Sequence, residues 1–88
     1  MNQEDVLEEA LRITKTERNS DYGDFPDNMA HIAAIWSAIK GVKFEPYEVP
    51  VFNMAQKISR QTHCQKRDNW VDIAGYARGG QLCDEAKE

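Results

Sequence analysis

The sequence is poor in cysteine, and its two cysteines do not form a metal-binding pattern. Cys64 and Cys83 belong to no Cys-x-x-Cys pair and to no Cys/His spacing typical of zinc ligands. The N-terminal segment, Met-Asn-Gln-Glu-Asp, has neither the basic nor the apolar region of an export signal. We therefore expect no zinc site, reduced thiols and a cytoplasmic location.

Long apolar runs and strand patterns are also missing. No apolar run approaches the roughly 18 residues that a membrane span needs. No useful stretch alternates apolar and polar residues as a half-buried strand does. The chain has only 5 Gly and 3 Pro, without internal repeats or a linker. The sequence therefore predicts a single all-α domain over residues 1–88 that does not enter a membrane.

Size and charge limit the partners that the chain can have. A chain of 88 residues buries on folding only about 60–65 % of the surface that it exposes when unfolded. We therefore expect a homo-oligomer, in which contacts between subunits enlarge the core. The net charge of −4 argues against duplex nucleic acid, whose binding depends on neutralising phosphates. The local basic excess over residues 57–67 favours a small phosphate-bearing ligand instead.

Four segments have the periodicity of amphipathic helices, which predicts a small bundle of about four helices. Asp24 and Pro26 are typical of a helix start, and Gly41 is typical of a helix end. The predicted limits are 3–18, 24–41, a third helix that starts between Pro46 and Pro50 and ends near Thr62, and a fourth from Asp68 to Gly79-Gly80. The alternative for the segment QLCDEAKE that follows is a frayed final turn.

The apolar stripes predict which side of each helix is buried. In the first helix the stripe is Val6, Leu7, Ala10, Leu11 and Thr14, and in the second it is Met29, Ile32, Ala33, Trp36 and Ile39. In the third it is Val51, Phe52, Ala55, Ile58 and Ser59, and in the fourth it is Trp70, Ile73, Ala74 and Ala77. Gly75 is expected to let a neighbouring helix or a ligand come close.

The segment DNWVDIAGYA, residues 68–77, carries two aspartates on one helix face. Asp68 and Asp72 are four residues apart, so their carboxylates lie one above the other. Asp68 is explained by its place at the start of the helix, where its charge suits the helix dipole. Asp72 lies between Val71 and Ile73, and an unpaired buried carboxylate costs several kcal/mol. It therefore needs a metal ion, a basic side chain or backbone donors as its partner.

Lys57 and Arg60 supply two candidate partners for these carboxylates. They are three residues apart, so they share a face of the third helix. An antiparallel hairpin across the short HCQKR connection would bring them near Asp68 and Asp72. Two interpretations remain open: salt bridges between helices that account for all four residues, or a site with Mg²⁺ on the aspartates and phosphate oxygens on the basic pair.

The turn-forming segment ERNSDYGD separates the first two helices and can reach over a pocket of the bundle. Asp21 and Tyr22 are its candidate ligand-binding residues, because an aromatic ring can stack on a base with about 1–3 kcal/mol. The alternative is a surface tyrosine that covers the core. No arrangement of Ser, His and Asp indicates a nucleophile, so no catalytic residue is assigned.

The pattern ERNSDYGD, DNMAHIAAIWSA, MAQKISR and DNWVDIAGYA resembles a family of small bacteriophage and prophage proteins over residues 4–78. That family is similar, more faintly, to the MazG-like all-α nucleoside triphosphate pyrophosphatases. The resemblance implies a helical bundle, a nucleotide ligand, Mg²⁺ held by helix carboxylates and attack of water on the phosphate chain. Asp72 matches the aspartate of the family's final helix, and Asp68 is a poorer match for its acidic partner.

The sequence departs from the MazG-like pattern where most metal ligands should be. The Glu-Glu-x-x-Glu helix of those enzymes is not reproduced, because Glu8-Glu9 is followed by Ala10, Leu11 and Arg12. The second helix offers only Asp27 and Asn28 near its start. The ligand set is therefore two to three residues instead of four.

Two functions follow as hypotheses. The first is an Mg²⁺-dependent nucleotide pyrophosphohydrolase with Asp72, Asp68 and Asp27 on the metal, where Lys57 and Arg60 neutralise charge on the phosphates. The second is a non-catalytic protein of the host cytoplasm that holds or sequesters a nucleotide, for example a host signalling nucleotide. A purely structural helical oligomer is the third possibility.

Overall fold

The computed structural model describes residues 4–17 and 24–87, which form four α-helices. These are α1 (Val6–Arg12), α2 (Phe25–Lys40), α3 (Glu48–His63) and α4 (Arg67–Lys87), and a π-helical turn (Ile13–Glu17) continues α1. No strand occurs in this described part of the chain. The prediction of an all-α fold with four helices is confirmed.

The limits of α2 and α3 follow from their capping residues. Asp24 precedes α2, and Pro26 lies in its first turn. Gly41 ends α2 in the left-handed conformation, with φ at 73°, and donates its N–H to the Ser37 carbonyl at 2.9 Å. The first turn of α3 accommodates Pro50 because an N–H there needs no helical acceptor. These limits agree with the predicted ones.

Helix α4 continues well beyond its predicted end. The prediction placed the end at Gly79-Gly80, and it is wrong, because both glycines are inside a helix that reaches Lys87. A β-carbon at Gly79 would overlap the ring of Phe25. Close packing against α2 therefore outweighs the low helix propensity of glycine.

The core is formed where α2 crosses α3 and α4. Its buried members are Phe25, Met29, Ala33, Val49 and Cys83. The partly buried Trp36 extends this core, and its ring centroid lies 6.0 Å from that of Phe44 and 5.4 Å from that of Phe52. The predicted inner stripe of α2 is thus correct, except that Ile39 is 72 % exposed.

The buried face of α4 differs from the predicted one. It consists of residues four apart, namely Val71, Gly75, Gly79 and Cys83. The predicted stripe through Trp70 and Ala77 is wrong at both residues, which are exposed. Small residues face the neighbours here because α4 lies very close to them. At Gly75 a β-carbon would meet the Thr14 methyl at 3.4 Å, which is ordinary van der Waals contact, so an approach that needs glycine at this residue stays a prediction.

The side of α3 that faces the rest of the chain is also different from the predicted apolar stripe. The large apolar members of that stripe, Val51, Phe52 and Ile58, are 47 %, 43 % and 54 % exposed. The side that meets α4 carries Lys57 and Gln61, which bond to residues of that helix. The predicted inner face is therefore largely an outer face in this chain, and of these three residues Phe52 still packs against Trp36.

Arg67, at the start of α4, forms hydrogen bonds that hold α1 against this helix. Its Nη1 donates to Glu9 Oε1 at 2.9 Å, and its Nη2 donates to the Glu4 carbonyl oxygen. Further along α4, Arg78 Nη1 donates to Thr14 Oγ1 at 3.3 Å. These contacts hold α1 on the opposite side of α4 from the basic residues of α3.

Candidate functional site

Helices α3 and α4 form an antiparallel hairpin whose connection is fixed by polar side chains. Gln61 Oε1 accepts from Asn69 Nδ2 at 2.8 Å and from the Lys66 N–H at 3.0 Å. Asn69 Nδ2 also donates to the Cys64 carbonyl at 3.4 Å, which makes this buried amide part of the turn. The hairpin that the sequence predicted conditionally is present, and it places Lys57 opposite Asp72.

Asp72 pairs with Lys57 across the hairpin. The Lys57 Nζ lies 2.9 Å from Asp72 Oδ2, and the two side chains are 18 % and 41 % exposed. The carboxylate is therefore half-exposed rather than buried in the core, and its partner is a basic side chain of the neighbouring helix. Lys57 is the more buried member, because its aliphatic stem lies in the hairpin seam.

The second half of the predicted salt-bridge set does not form. In the described ranges, neither Arg60 nor Asp68 has an ion pair, and both side chains are exposed. The interpretation in which salt bridges account for all four residues thus holds for Lys57 and Asp72 only. Arg60 and Asp68 face solvent within the same cleft.

An open cleft of about 550 Å³ lies along this side of the hairpin. It contains three cationic side chains and two carboxylates, so the formal charge of its wall is positive in a chain of net charge −4. Lys66 joins Arg60 as a cation without an ion pair to any described residue. The lining residues are Lys57, Ser59, Arg60, His63, Cys64, Lys66, Asp68, Asn69 and Asp72.

Asp27 lies away from this cleft. It lines a separate cavity of about 200 Å³ that shares no residue with the cleft. The structure therefore brings Asp68 and Asp72 together and does not add Asp27 to them. Over residues 4–17 and 24–87, no group of three or more His, Cys, Asp and Glu side chains is arranged to hold a metal ion.

The other two predicted ligand-binding residues, Asp21 and Tyr22, lie outside the described residues. Asn69 and Ser59 line the cleft but were not predicted as site residues, and Ser59 was assigned to the inner stripe of its helix. The basic excess over residues 57–67 did point to His63 and Lys66, whereas Arg67 in the same run turns to α1. Asn69 gave no signal, because a polar residue near a helix start is typical of solvent exposure.

Fold and cleft together define a small all-α protein with a charged cleft along a helical hairpin. Residues 5–83 match the family model described as Domain of unknown function (DUF6378), and the chain belongs to that family. The chain is 42 % identical over 74 residues to the Gene 55 protein of Mycobacterium phage L5. It is 35 % identical over 75 residues to the Gene 55 protein of Mycobacterium phage D29.

These alignments cover 82 % and 84 % of the chain, and 47 % and 50 % of the two phage proteins. The chain thus spans about half the length of the curated relatives it matches. No solved structure matches it. The predicted likeness to a family of small phage proteins is confirmed, whereas the fainter MazG-like resemblance stays a prediction. Among the helices described, none combines the length and apolar character needed to cross a membrane.

Proposed function

We propose that the cleft between α3 and α4 binds a nucleotide or another small molecule that carries phosphate. The observation that supports this most is the pair Arg60 and Lys66. Both are exposed cations that line one cleft, and neither forms an ion pair with a described residue. The cleft volume of about 550 Å³ is within the range of about 300–1,000 Å³ typical of small-molecule sites.

Each lining residue has a role that its chemistry suits. Arg60 offers a planar guanidinium, which binds two phosphate oxygens at once. Lys66 adds a point charge at the connection between the helices. Lys57 is a third cation, positioned by Asp72 at 2.9 Å. The polar Ser59 and His63 at the wall supply further hydrogen bonds to a phosphate or a sugar.

Mg²⁺ is the proposed companion of this ligand. Asp68 and Asp72 are the carboxylates of the cleft, and Mg²⁺ is commonly bound by one or two carboxylates together with substrate phosphates and water. The donor set therefore suits a metal–nucleotide complex. Two carboxylates beside basic residues favour binding over the hydrolysis carried out by MazG-like enzymes, for which four converging carboxylates would be expected.

Two further parts of the proposal concern the setting of the protein. The relatives from mycobacteriophages support a phage protein that acts in the host cytoplasm. The large exposed apolar residues support a homo-oligomer. In this proposal the protein holds or sequesters a nucleotide, and a host signalling nucleotide is one candidate. Asp21 and Tyr22 stay predicted contributors to its recognition.

A thermal-shift screen tests the proposal on the wild-type chain. Nucleoside triphosphates, cyclic nucleotides and inorganic triphosphate are added with and without Mg²⁺, and release of pyrophosphate and of phosphate is measured for each hit. A ligand at 100 times its Kd should stabilise the chain by about 2.7 kcal/mol, without turnover. Stabilisation with turnover would identify the pyrophosphohydrolase instead. If no phosphate compound stabilises the chain, the proposal is wrong.

A charge-removing pair of variants tests the assignment of Arg60. Arg60→Gln should weaken binding of a stabilising ligand roughly 10- to 100-fold, because a hydrogen-bonded charge contributes about 1.5–3 kcal/mol. Lys40→Gln is the control, since Lys40 is also exposed but lies outside the cleft. Titration calorimetry measures both Kd values. Equal losses in the two variants would show an effect of net charge rather than of the cleft.

A further inference from the structure

The apolar side of α3 points away from the rest of its own chain. Val51, Ala55, Ile58 and Thr62, here called the outer stripe, are all exposed. They are separated by four, three and four residues, which is the spacing of a seam between two packed helices. In the same helix, Lys57 and Gln61 occupy the side that meets α4. Helix α3 thus places polar residues against α4 and leaves its apolar outer stripe exposed.

The surface area of the chain indicates how much of it is available to a partner. The accessible surface is 6178 Å², whereas a compact monomer of 10.1 kDa has about 5,300 Å². The excess of about 900 Å² belongs to the chain as a whole and is not assigned to one helix by this comparison. Its size matches the roughly 800 Å² that each partner contributes to a stable protein interface, so the chain has enough uncovered surface for one partner. The shape agrees with this, since the radius of gyration is 13.9 Å and about 12 Å is expected for this length.

The surroundings of the outer stripe suit a second copy of the same helix. The positions that flank such a seam are occupied by uncharged residues, namely Phe52, Met54, Ser59 and Gln61. Two copies that meet through the stripe therefore bring no like charges together. A symmetric contact of one surface with itself is also the commonest way in which identical chains associate.

We infer that the outer stripe of α3 is the interface of a homodimer, in which a second copy packs through the same stripe. This names the interface of the homo-oligomer proposed above, on which it rests, and it does not depend on ligand binding. The second copy would also border the cleft, because Ser59 both flanks the outer stripe and lines the cleft. The second copy therefore lies at the rim of the cleft.

Sedimentation equilibrium on the full chain over a series of concentrations tests this interface. The wild type should have twice the 10.1 kDa mass of one chain. Ile58→Glu should have the mass of one chain and an unchanged far-ultraviolet circular dichroism spectrum, because Ile58 is 54 % exposed in the monomer. Leu7→Glu should remain dimeric. Leu7 is a matched control, since it is 69 % exposed on α1, which packs on α4 and not on α3.

A milder variant keeps the test valid if Ile58→Glu does not fold. Ile58→Ala preserves helix propensity and should raise the Kd of the dimer roughly tenfold or more. A wild-type chain that is monomeric throughout overturns the inference, and so leaves the stripe to another partner. A dimer that Leu7→Glu separates and that neither Ile58 variant weakens overturns it as well.

Discussion

Two adjacent glycines of α4 have opposite surroundings. A β-carbon at Gly79 would overlap the ring of Phe25, which is itself only 2 % exposed and has no room to move. A β-carbon at Gly80 would find the nearest atom, Pro50 Cγ, at 4.0 Å, which is ordinary van der Waals contact. Only the first glycine is therefore required by the packing of α4 on α2.

This difference predicts opposite effects for the same substitution. Gly79→Ala should lower the free energy of unfolding by about 1–3 kcal/mol, because the added methyl overpacks the core. Gly80→Ala should raise it by about 0.5–1 kcal/mol, because alanine is the better helix former and fits without a clash. Urea unfolding of both variants measures the two changes. Destabilisation by Gly80→Ala, or none by Gly79→Ala, would contradict this view of the α2–α4 contact.

The two glycines also show what a sequence leaves undetermined. In the sequence, Gly79-Gly80 is typical of a helix end, since glycine lowers helix propensity and ends many helices. The decisive interaction is with Phe25, which is far away along the chain. A local pattern contains no information about that contact, so the helix end was predicted too early.

At the scale of elements, the ion pair between α3 and α4 is asymmetric in its burial. Lys57 is 18 % exposed and Asp72 is 41 % exposed, with 2.9 Å between the charged atoms. Loss of the carboxylate leaves the Lys57 ammonium, whose aliphatic stem is held in the seam, without its counter-charge. Loss of the ammonium leaves a carboxylate that water can reach.

The asymmetry predicts unequal costs for removing either partner. Asp72→Asn should lower the free energy of unfolding by about 1–3 kcal/mol, because it leaves the charge at the end of a mostly buried side chain unpaired. Lys57→Met should cost less than about 1 kcal/mol, since methionine keeps the apolar stem in the seam and Asp72 is solvated. Urea unfolding near neutral pH measures both. A larger cost for Lys57→Met than for Asp72→Asn would contradict this asymmetry.

The sequence predicted the elements better than it predicted their orientations. Spacing, capping residues and the two prolines of α3 defined where helices begin, because these signals are local. The orientation of α3 was predicted from its apolar stripe, on the assumption that this stripe faces the chain's own core. The structure instead directs Lys57 and Gln61 inwards. An apolar stripe that serves an interface cannot be told from a core stripe by periodicity alone.

At the scale of the whole molecule, the chain combines a compact α2 core with a polar hairpin. The core residues Phe25, Met29 and Ala33 hold α2 against the other helices. The hairpin seam is held by the Lys57–Asp72 and Gln61–Asn69 contacts, and its open side is the cleft. Binding chemistry and core packing are thus carried by different parts of this small chain.

Part of the candidate site could be predicted from the sequence, because its charged residues lie close together along the chain. The sequence predicts that opposite charges meet across a hairpin, from the basic excess over residues 57–67 and the aspartates at 68 and 72. The sequence does not predict which of these charged groups form an ion pair and which stay unpaired, because that depends on the angular position of each side chain around its helix. Asp27 could not be excluded by sequence, since its distance from the hairpin is set by how α2 crosses the other helices.

The most direct test of the central proposal is a titration of the ¹⁵N-labelled chain with a nucleoside triphosphate and Mg²⁺, followed by amide chemical shifts. Saturable shifts are expected at Arg60, His63 and Lys66, with the amides of α1 unaffected. Shifts that are confined to α1 or α2, or no saturable shift at all, would contradict a phosphate-binding cleft between α3 and α4.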